Sequence, residues 1–366
     1  MNETTPSAGA KQRQVSRVVI IGAGLIGASI GCALSATGYA VHLRDHKISH
    51  ARVAAGLGAG TVDPAVSAEV ALVVVAVPPG AIPDLVVHSL QAYPNATVTD
   101  VGSVKAGVLD TLWRRNVDLG RYVGSHPMAG SHHSGPMTAH PDLFVDRTWV
   151  VTPHRRSAAE SVERVRAAVR ACRAREMIMD VDDHDAAVAR VSHLPHLMAV
   201  LTASRLIAIP ERDLTLAGQG LRDVTRIAGS DPALWEQIVG ANSGAVLEEL
   251  RGVQDQLGLL IKAIEATPAT DDLRSQLERA VAGTRKIAGK HGAAAIRYSE
   301  VVVAIPDEPG ALARLFADVG AAGVNVEDIS IEHDPVRELG YLALSVAPEH
   351  ADALLETMLA HGWTVS

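Results

Sequence analysis

One histidine in this chain stands where acid–base chemistry could be done. His126 lies in Gly124-Ser125-His126-Pro127-Met128-Ala129-Gly130-Ser131, between a short apolar strand over 121–124 and a run of small residues. Gly130 and Gly135-Pro136 read as turn formers, so the spacing predicts that His126 is offered on a loop. An imidazole so placed serves as acid, base or hydrogen-bond acceptor near neutral pH. A lone histidine is more often structural than catalytic, and here the flanking context argues the other way.

The second chemical feature is a phosphate cradle. Residues 17–21 are a β-branched run without a polar break, which reads as a strand buried on both faces of a parallel sheet. Gly22-Ala23-Gly24-Leu25-Ile26-Gly27 follows at once. A small-residue helix over 28–37 comes next, closed by Gly38, and a second strand over 39–44 leads into Asp45. This is G-x-G-x-x-G in its required setting of strand, turn, helix and a distal acid. Gly22 permits the tight turn. Gly24 lets the backbone around Leu25 and Ile26 approach a pyrophosphate seated on the helix N-terminus, and Gly27 allows close helix–strand packing. Asp45 can accept both ribose hydroxyls of an adenosine. A carboxylate there repels a 2′-phosphate, which favours NAD over NADP; the cationic neighbours Arg44, His46 and Lys47 pull the other way. A glycine-rich turn in some other α/β protein is the competing reading.

These residues need elements to hold them. Further apolar strands are predicted over 71–77, closed by Val77-Pro78-Pro79-Gly80, and over 96–101, closed by Gly102-Ser103-Val104-Lys105, with later ones at 149–153 and 176–179. Strands alternating with helical stretches make a doubly wound sheet, and its ligands bind beyond the carboxyl ends of the strands. That rule singles out Val77, Pro78, Ser103 and the His126 segment. From Asp182 the strands stop. A helix over 185–206 should kink at Pro195, and another, capped by Ser230-Asp231 and begun by Pro232, should run to about Ala266. Long apolar-striped helices of this kind pack on each other or on a second subunit. A helix over 271–287 closes this part. The tail reads β-α-β-β-α with a possible last strand at 363–365, a ferredoxin-like order. The expected fold class is α/β: a Rossmann-type doubly wound sheet over 17–181 after a disordered lead over 1–16, an all-helical dimerisation domain over 182–295, and a ferredoxin-like domain over 296–366.

Bulk properties narrow the function. The chain has 366 residues, too many for one ordinary core. Its formal charge of -8 and lack of a basic block argue against nucleic acid as a partner. Cys32 and Cys172 form no framework, and adjacent His132 and His133 lack a third ligand, so no metal is expected. The polar N-terminus lacks the apolar core of a signal peptide and no segment spans a bilayer, so the expectation is a soluble cytoplasmic protein without a membrane partner.

Longer motifs carry a family resemblance. Thr99-Asp100-Val101-Gly102-Ser103-Val104-Lys105, the His126 segment, Val191-Ser192-His193-Leu194-Pro195-His196, Arg222-Asp223-Val224-Thr225-Arg226-Ile227-Ala228 and Asp231-Pro232-Ala233-Leu234-Trp235 together resemble prephenate dehydrogenases. The close relatives that act on arogenate share these motifs. The resemblance covers about 17–292. From about 298 the chain resembles an ACT regulatory domain, through Asp307-Glu308-Pro309-Gly310 and Gly323-Val324-Asn325-Val326.

The resemblance implies an NAD-dependent oxidative decarboxylation of prephenate to 4-hydroxyphenylpyruvate, a step of tyrosine biosynthesis, by a homodimer. His126 would take the proton of the C4 hydroxyl, and Ser103 would bond the same hydroxyl and fix His126. His193 would help to position substrate and cofactor. Arg226 would hold a substrate carboxylate, with Arg222, Ser131 and Trp235 nearby; Arg226 pairing with Asp223 or Asp231 on a helix surface, and Trp235 as core, are the plainer readings. His196 is assigned to packing. The ACT-like tail implies an amino-acid effector, tyrosine first, at Asp307, Gly310, Ala311 and, from a paired module, Asn325. One departure stands out: His132 occupies a position where many family members carry a glutamate, which blurs the choice between prephenate and arogenate. Two other classes compete. A different Rossmann dehydrogenase, such as a 3-hydroxy acid enzyme, would show a catalytic lysine followed by an asparagine on a helix. A nucleotide-sensing regulatory protein would lack turnover.

Overall fold

The computed structural model describes residues 16–130, 135–266, 271–287, 298–306, 308–334 and 339–365. The chain divides into two compact units, Met1–Leu259 and Leu260–Ser366.

The first unit is built on the uninterrupted apolar runs. β1 (Arg17–Ile21) is followed by α1 (Leu25–Ala36), β2 (Ala40–Arg44), α2 (Ile48–Gly56), β3 (Val70–Val75), α3 (Ile82–Ala92), β4 (Thr97–Asp100) and α4 (Ala106–Arg114). The four strands are parallel in the order β2-β1-β3-β4. Val18 and Ile20 point to one buried cluster with Leu34, Leu72 and Val74, and Val19 points to another with Val73, Val75, Ile82 and Tyr122. Successive side chains of a strand face opposite ways, so a strand covered on both faces favours an unbroken apolar run such as Val18–Ile21.

The sheet continues past β4. The Val98 amide donates to the Arg121 carbonyl at 2.8 Å, and the Val123 amide to the Val98 carbonyl at 3.0 Å. β5 (Gly124–Pro127) then pairs antiparallel with β6 (Thr148–Thr152), which leads through α5 (Ala159–Ala171) to β7 (Arg175–Ile178), parallel to β6. His126 is therefore in a strand, opposite Val150, and not on a loop. The ladder with β6, formed by residues more than twenty positions away, outweighs the local turn signals.

Helices follow. α6 (Val181–Val188) runs into a π turn, Ala189–His193, and on into α7 (Leu194–Arg205). The predicted kink at Pro195 takes the form of this wider turn, which accommodates a residue that has no amide to give. After α8 (Glu211–Leu214) and α9 (Gln219–Arg226), α10 (Pro232–Ala241) begins as expected, with the Asp231 carboxylate accepting the Ala233 amide at 3.0 Å. The long helix expected to reach Ala266 is broken at Asn242, and α11 (Ser243–Glu265) starts anew.

In the second unit α12 (Asp271–Thr284) precedes β8 (Ser299–Pro306), α13 (Ala311–Ala321), β9 (Val326–Asp334), β10 (Leu339–Val346), α14 (Pro348–Ala360) and β11 (Thr364–Val365). The strands form an antiparallel sheet in the order β11-β8-β10-β9. Alternate residues Val301, Val303, Ile305 and Leu342, Leu344, Val346 are buried with Leu315, Val319, Leu354 and Met358 of the helices. The sheet thus covers one face with helices, as its period-two pattern requires.

Candidate active site

The glycine turn has the contacts its motif demands. Gly22 holds φ 101°, and a Cβ there would lie 2.1 Å from the Ala76 carbonyl oxygen; one at Gly27 would lie 1.9 Å from the Gly22 oxygen. Any larger residue would push β1, β3 and α1 apart. Gly24 caps α1 with open space around it, so the first amides of Leu25 and Ile26 can be reached from outside. Val77 packs beside Gly22, and Pro78 is exposed beyond β3. Asp45 ends β2 with one carboxylate oxygen accepting the Ala23 amide and the other the Lys47 amide, each at 2.8 Å. The carboxylate keeps lone pairs for a ribose. A turn with room for a pyrophosphate and an anchored acid at the ribose position fits a dinucleotide.

His126 is aimed by β5. The Ser125 hydroxyl donates to the Asp100 carbonyl at 2.9 Å and meets the Thr99 hydroxyl at 3.0 Å, which pins β5 to β4. The His126 Nδ1 lies 2.9 Å from Nε2 of His184, and Nδ1 of His184 lies 2.7 Å from the Asp185 carboxylate. Asp185 also accepts the amides of Lys105, at 2.9 Å, and Ala106, at 2.8 Å, at the start of α4. Burial first, and then the charges of His184, Lys105 and His193, hold the His126 imidazole well below its ordinary value of 6.5. The imidazole is thereby neutral at physiological pH and protonates at lower pH than an unperturbed histidine.

Beside this chain lies a second buried network. Lys105 pairs with Asp100, both sealed from solvent, and Asp100 also accepts the Tyr122 hydroxyl at 2.7 Å and the Gly102 amide at 3.0 Å. Three donors on one carboxylate make a buried ion pair tolerable. Burial and the Asp100 charge push the Tyr122 phenol well above 10.

His193, at the end of the π turn, is buried. Its Nδ1 faces the Asn242 amide nitrogen at 3.3 Å, and the same nitrogen donates to the Asp185 carbonyl at 2.7 Å. Nδ1 is thereby an acceptor, which leaves Nε2–H as a donor. Trp235 of α10 lies edge-on to His193 at 6.0 Å and is stacked flat on His196, ring centres 3.4 Å apart. One residue pair later on the same helix, Gln237 accepts the Gly80 amide at 3.1 Å, tying α10 to the turn after β3.

The structure thus gathers His126 and His193 around the His184–Asp185–Asn242 contacts, with Trp235 alongside. Ser103 sits half-buried in the turn between β4 and α4, without a hydrogen bond to His126 among the described residues. Arg222 and Arg226 stand exposed on α9. Neither plainer partner engages Arg226: Asp223 accepts from Gln219 and Asp231 caps α10. Ser131, His132 and His133 lie outside the described residues, as does Asp307. In the second unit Gly310 and Ala311 line a cavity of about 400 Å³ with Ile305, Pro306, Glu308 and Ile331. The Ala311 amide already donates to the Glu308 carbonyl at 3.2 Å, so the following amides of α13 are the ones left to offer. Asn325 donates to Glu327 at 2.6 Å and is not among the lining residues.

Sequence reasoning missed His184, Asp185 and Asn242. The acidic run Asp182-Asp183-His184-Asp185 in the first turn of α6 was the available signal, since a histidine flanked by carboxylates is a candidate oriented base.

Comparison with known proteins agrees with this geometry. The family pattern described as prephenate dehydrogenase, nucleotide-binding domain, matches residues 30–178, and the one described as prephenate dehydrogenase, dimerization domain, matches residues 180–279. The probable prephenate dehydrogenase NovF of Streptomyces niveus is 31% identical over 355 residues, covering 94% of this chain and 98% of its own. The crystal structure of prephenate dehydrogenase from A. aeolicus in complex with hydroxyphenyl propionate and NAD+ is 27% identical, with a TM-score of 0.67 over 75% of this chain and 99% of that one. Synechocystis arogenate dehydrogenase is 25% identical, with a TM-score of 0.64 over 74% of this chain and 99% of that one. The chain belongs to the prephenate dehydrogenase family.

Proposed function

We propose that this chain catalyses the NAD-dependent oxidative decarboxylation of prephenate to 4-hydroxyphenylpyruvate. The observation that carries the reading is the neutral, half-buried His126, whose Nδ1 is engaged by His184 and whose Nε2 remains for substrate. Bound NAD, held by Gly22, Gly24, Leu25, Ile26, Gly27, Asp45, Val77 and Pro78, would supply the hydride acceptor. His126 takes the C4 hydroxyl proton on Nε2, which raises electron density at the carbon that gives up hydride, and returns it to the phenolate oxygen once the ring is aromatic. Ser103 bonds the same hydroxyl. His193 offers Nε2–H to substrate or cofactor, with Trp235 beside it, and Ser131 is assigned to substrate binding. Arg226, unpaired among the described residues, holds a substrate carboxylate through its fork, with Arg222 near it.

The domain limits follow: nucleotide binding over 17–181, a helical substrate and dimerisation part over 182–295, and a ferredoxin-like ACT module over 296–366. Exposed Leu247, Leu257, Ile261 and Ile264 on α11 support a homodimer, because a monomer seldom leaves such a stripe in water. The cavity at Gly310 and Ala311 supports an amino-acid effector, tyrosine first as the end product of the route.

Arogenate is the second reading, favoured by the likeness to the Synechocystis enzyme. Product analysis decides: prephenate with NAD is expected to give 4-hydroxyphenylpyruvate and NADH, whereas turnover of arogenate alone, giving tyrosine directly, would overturn the choice of substrate.

A further inference from the structure

His126 is useful as a base only if the correct ring nitrogen is bare. A neutral imidazole carries one proton, on Nδ1 or Nε2, and the two tautomers differ little in free solution. Something in the protein has to choose, and the choice is readable in the contacts. The Asp185 carboxylate is an acceptor only, so the 2.7 Å contact makes Nδ1 of His184 the protonated nitrogen. Nε2 of His184 is then a bare acceptor. It faces Nδ1 of His126 at 2.9 Å, so that nitrogen must carry the His126 proton. Nε2 of His126 is left with its lone pair exposed to whatever binds. The reversed chain would turn a bare His184 nitrogen onto a carboxylate.

We propose that His184 and Asp185 are positioning residues that fix His126 as its Nδ1–H tautomer, and that they stabilise the imidazolium formed when Nε2 accepts the substrate hydroxyl proton. The proton balance is closed: the O–H bond breaks, the proton sits on His126 Nε2, and it returns to the product oxygen. His184 accepts the Nδ1–H throughout and Asp185 holds His184 in place; neither exchanges a proton with substrate. This assignment rests on the reading of His126 as the base, and it explains features that no other role uses.

Asp185 is held by four donors: His184 Nδ1, the Lys105 and Ala106 amides, which also fix the start of α4, and, at its backbone carbonyl, Asn242. His184 and Asp185 are 1% and 4% exposed, so water cannot compete for these contacts. A hydrogen-bonded chain of this sort is rigid where each member is satisfied. Among the described residues, the titratable and charged groups around His126 are His184 and Asp185 of α6, Lys105 with its partner Asp100 ahead of α4, and His193 of the π turn.

The test uses the full-length protein labelled with 15N-histidine, with no substrate present. Nitrogen shifts and two-bond couplings report which ring nitrogen carries the proton, and the His126 signals are assigned from their loss in His126→Gln. The expected spectrum shows both His126 and His184 protonated on Nδ1. His126 protonated on Nε2 would overturn the proposal whatever the substrate proves to be, and a failure of turnover with prephenate would leave the spectrum unaffected. In Asp185→Asn the amide presents its NH₂ to His184, so both rings should switch to the Nε2–H form, and kcat should fall by roughly 10²–10⁴ while KM and NAD affinity hold. His184→Gln keeps an acceptor for Nδ1–H and should retain more activity than the ring-shaped His184→Phe. Wild-type kcat in Asp185→Asn, or equal losses in the two His184 variants, would contradict the assignment. Should Asp185→Asn fail to fold, the wild-type spectrum still decides.

Discussion

The Asp45 carboxylate accepts the amide of Ala23 at 2.8 Å, so the residue expected to read the cofactor ribose also anchors the glycine turn expected to cradle the pyrophosphate. The glycine turn and Asp45 are one hydrogen-bonded unit. Its neighbours are partly engaged: His46 lies 3.1 Å from the same carboxylate, and the Arg44 guanidinium stands 5.9 Å from the Tyr93 ring centre. Asp45→Ala is expected to weaken NAD binding by about tenfold or more and to narrow the gap to NADP. Fluorescence titration with each nucleotide measures both. A wild-type preference for NADP would show that Arg44, His46 and Lys47 dominate.

The histidine cluster predicts a specific pH response. The pKa values of His126, His193 and His196 are all lowered, by burial first in each case. In the unfolded chain these groups titrate near ~6.5. Between their folded values and ~6.5 the unfolded state binds more protons than the native one, so stability rises with pH across that window and falls as the solution is acidified through it. Thermal melts from about pH 7.5 downward should lose Tm below ~6.5. The acid limb of kcat/KM should lie below that of a free histidine; a limb at or above ~6.5 would remove His126 from the role of base.

Arg226 stands exposed on α9, and its role is open to a clean kinetic test. If it grips a carboxylate, Arg226→Ala should raise KM for prephenate by about tenfold or more while NAD affinity holds. An unchanged KM would return Arg226 to an ordinary surface role.

Much of the first unit was legible because its physics is local. The Val18–Ile21 run of β1 and the whole of β3 carry no polar residue, the pattern that a strand covered on both faces favours. The glycine turn was legible from its spacing between strand and helix, although the backbone that bars a Cβ at Gly22 is that of Ala76, just past β3. What was illegible depends on distant partners. His126 is placed in β5 by a ladder with β6, and its ring partner His184 comes from a helix 58 positions on. The break at Asn242 has a local signal in Gly240-Ala241-Asn242-Ser243-Gly244, masked by the apolar period on either side, but the reach of the Asn242 side chain to Asp185 and His193 is not in the sequence. These tertiary contacts decide the site, and periodicity carries no record of them.

The C-terminal cavity gives a regulatory prediction. Tyrosine is expected to inhibit the full-length enzyme by favouring one of two states, and Ala311→Leu, which fills the cavity, should abolish that inhibition with uninhibited kcat retained. Inhibition curves for both proteins measure this. Indifference of the full-length enzyme to tyrosine and other aromatic amino acids, or equal inhibition of the variant, would end the regulatory reading.

The central claim is that His126 is the base of the hydride-transfer reaction. The most direct measurement is single-turnover NADH formation from prephenate by wild-type protein and by His126→Asn, each saturated with NAD. The account predicts prompt NADH from the wild type and a rate lower by roughly 10²–10⁴ in the variant, with NAD affinity unchanged. A variant that forms NADH at the wild-type rate would contradict it.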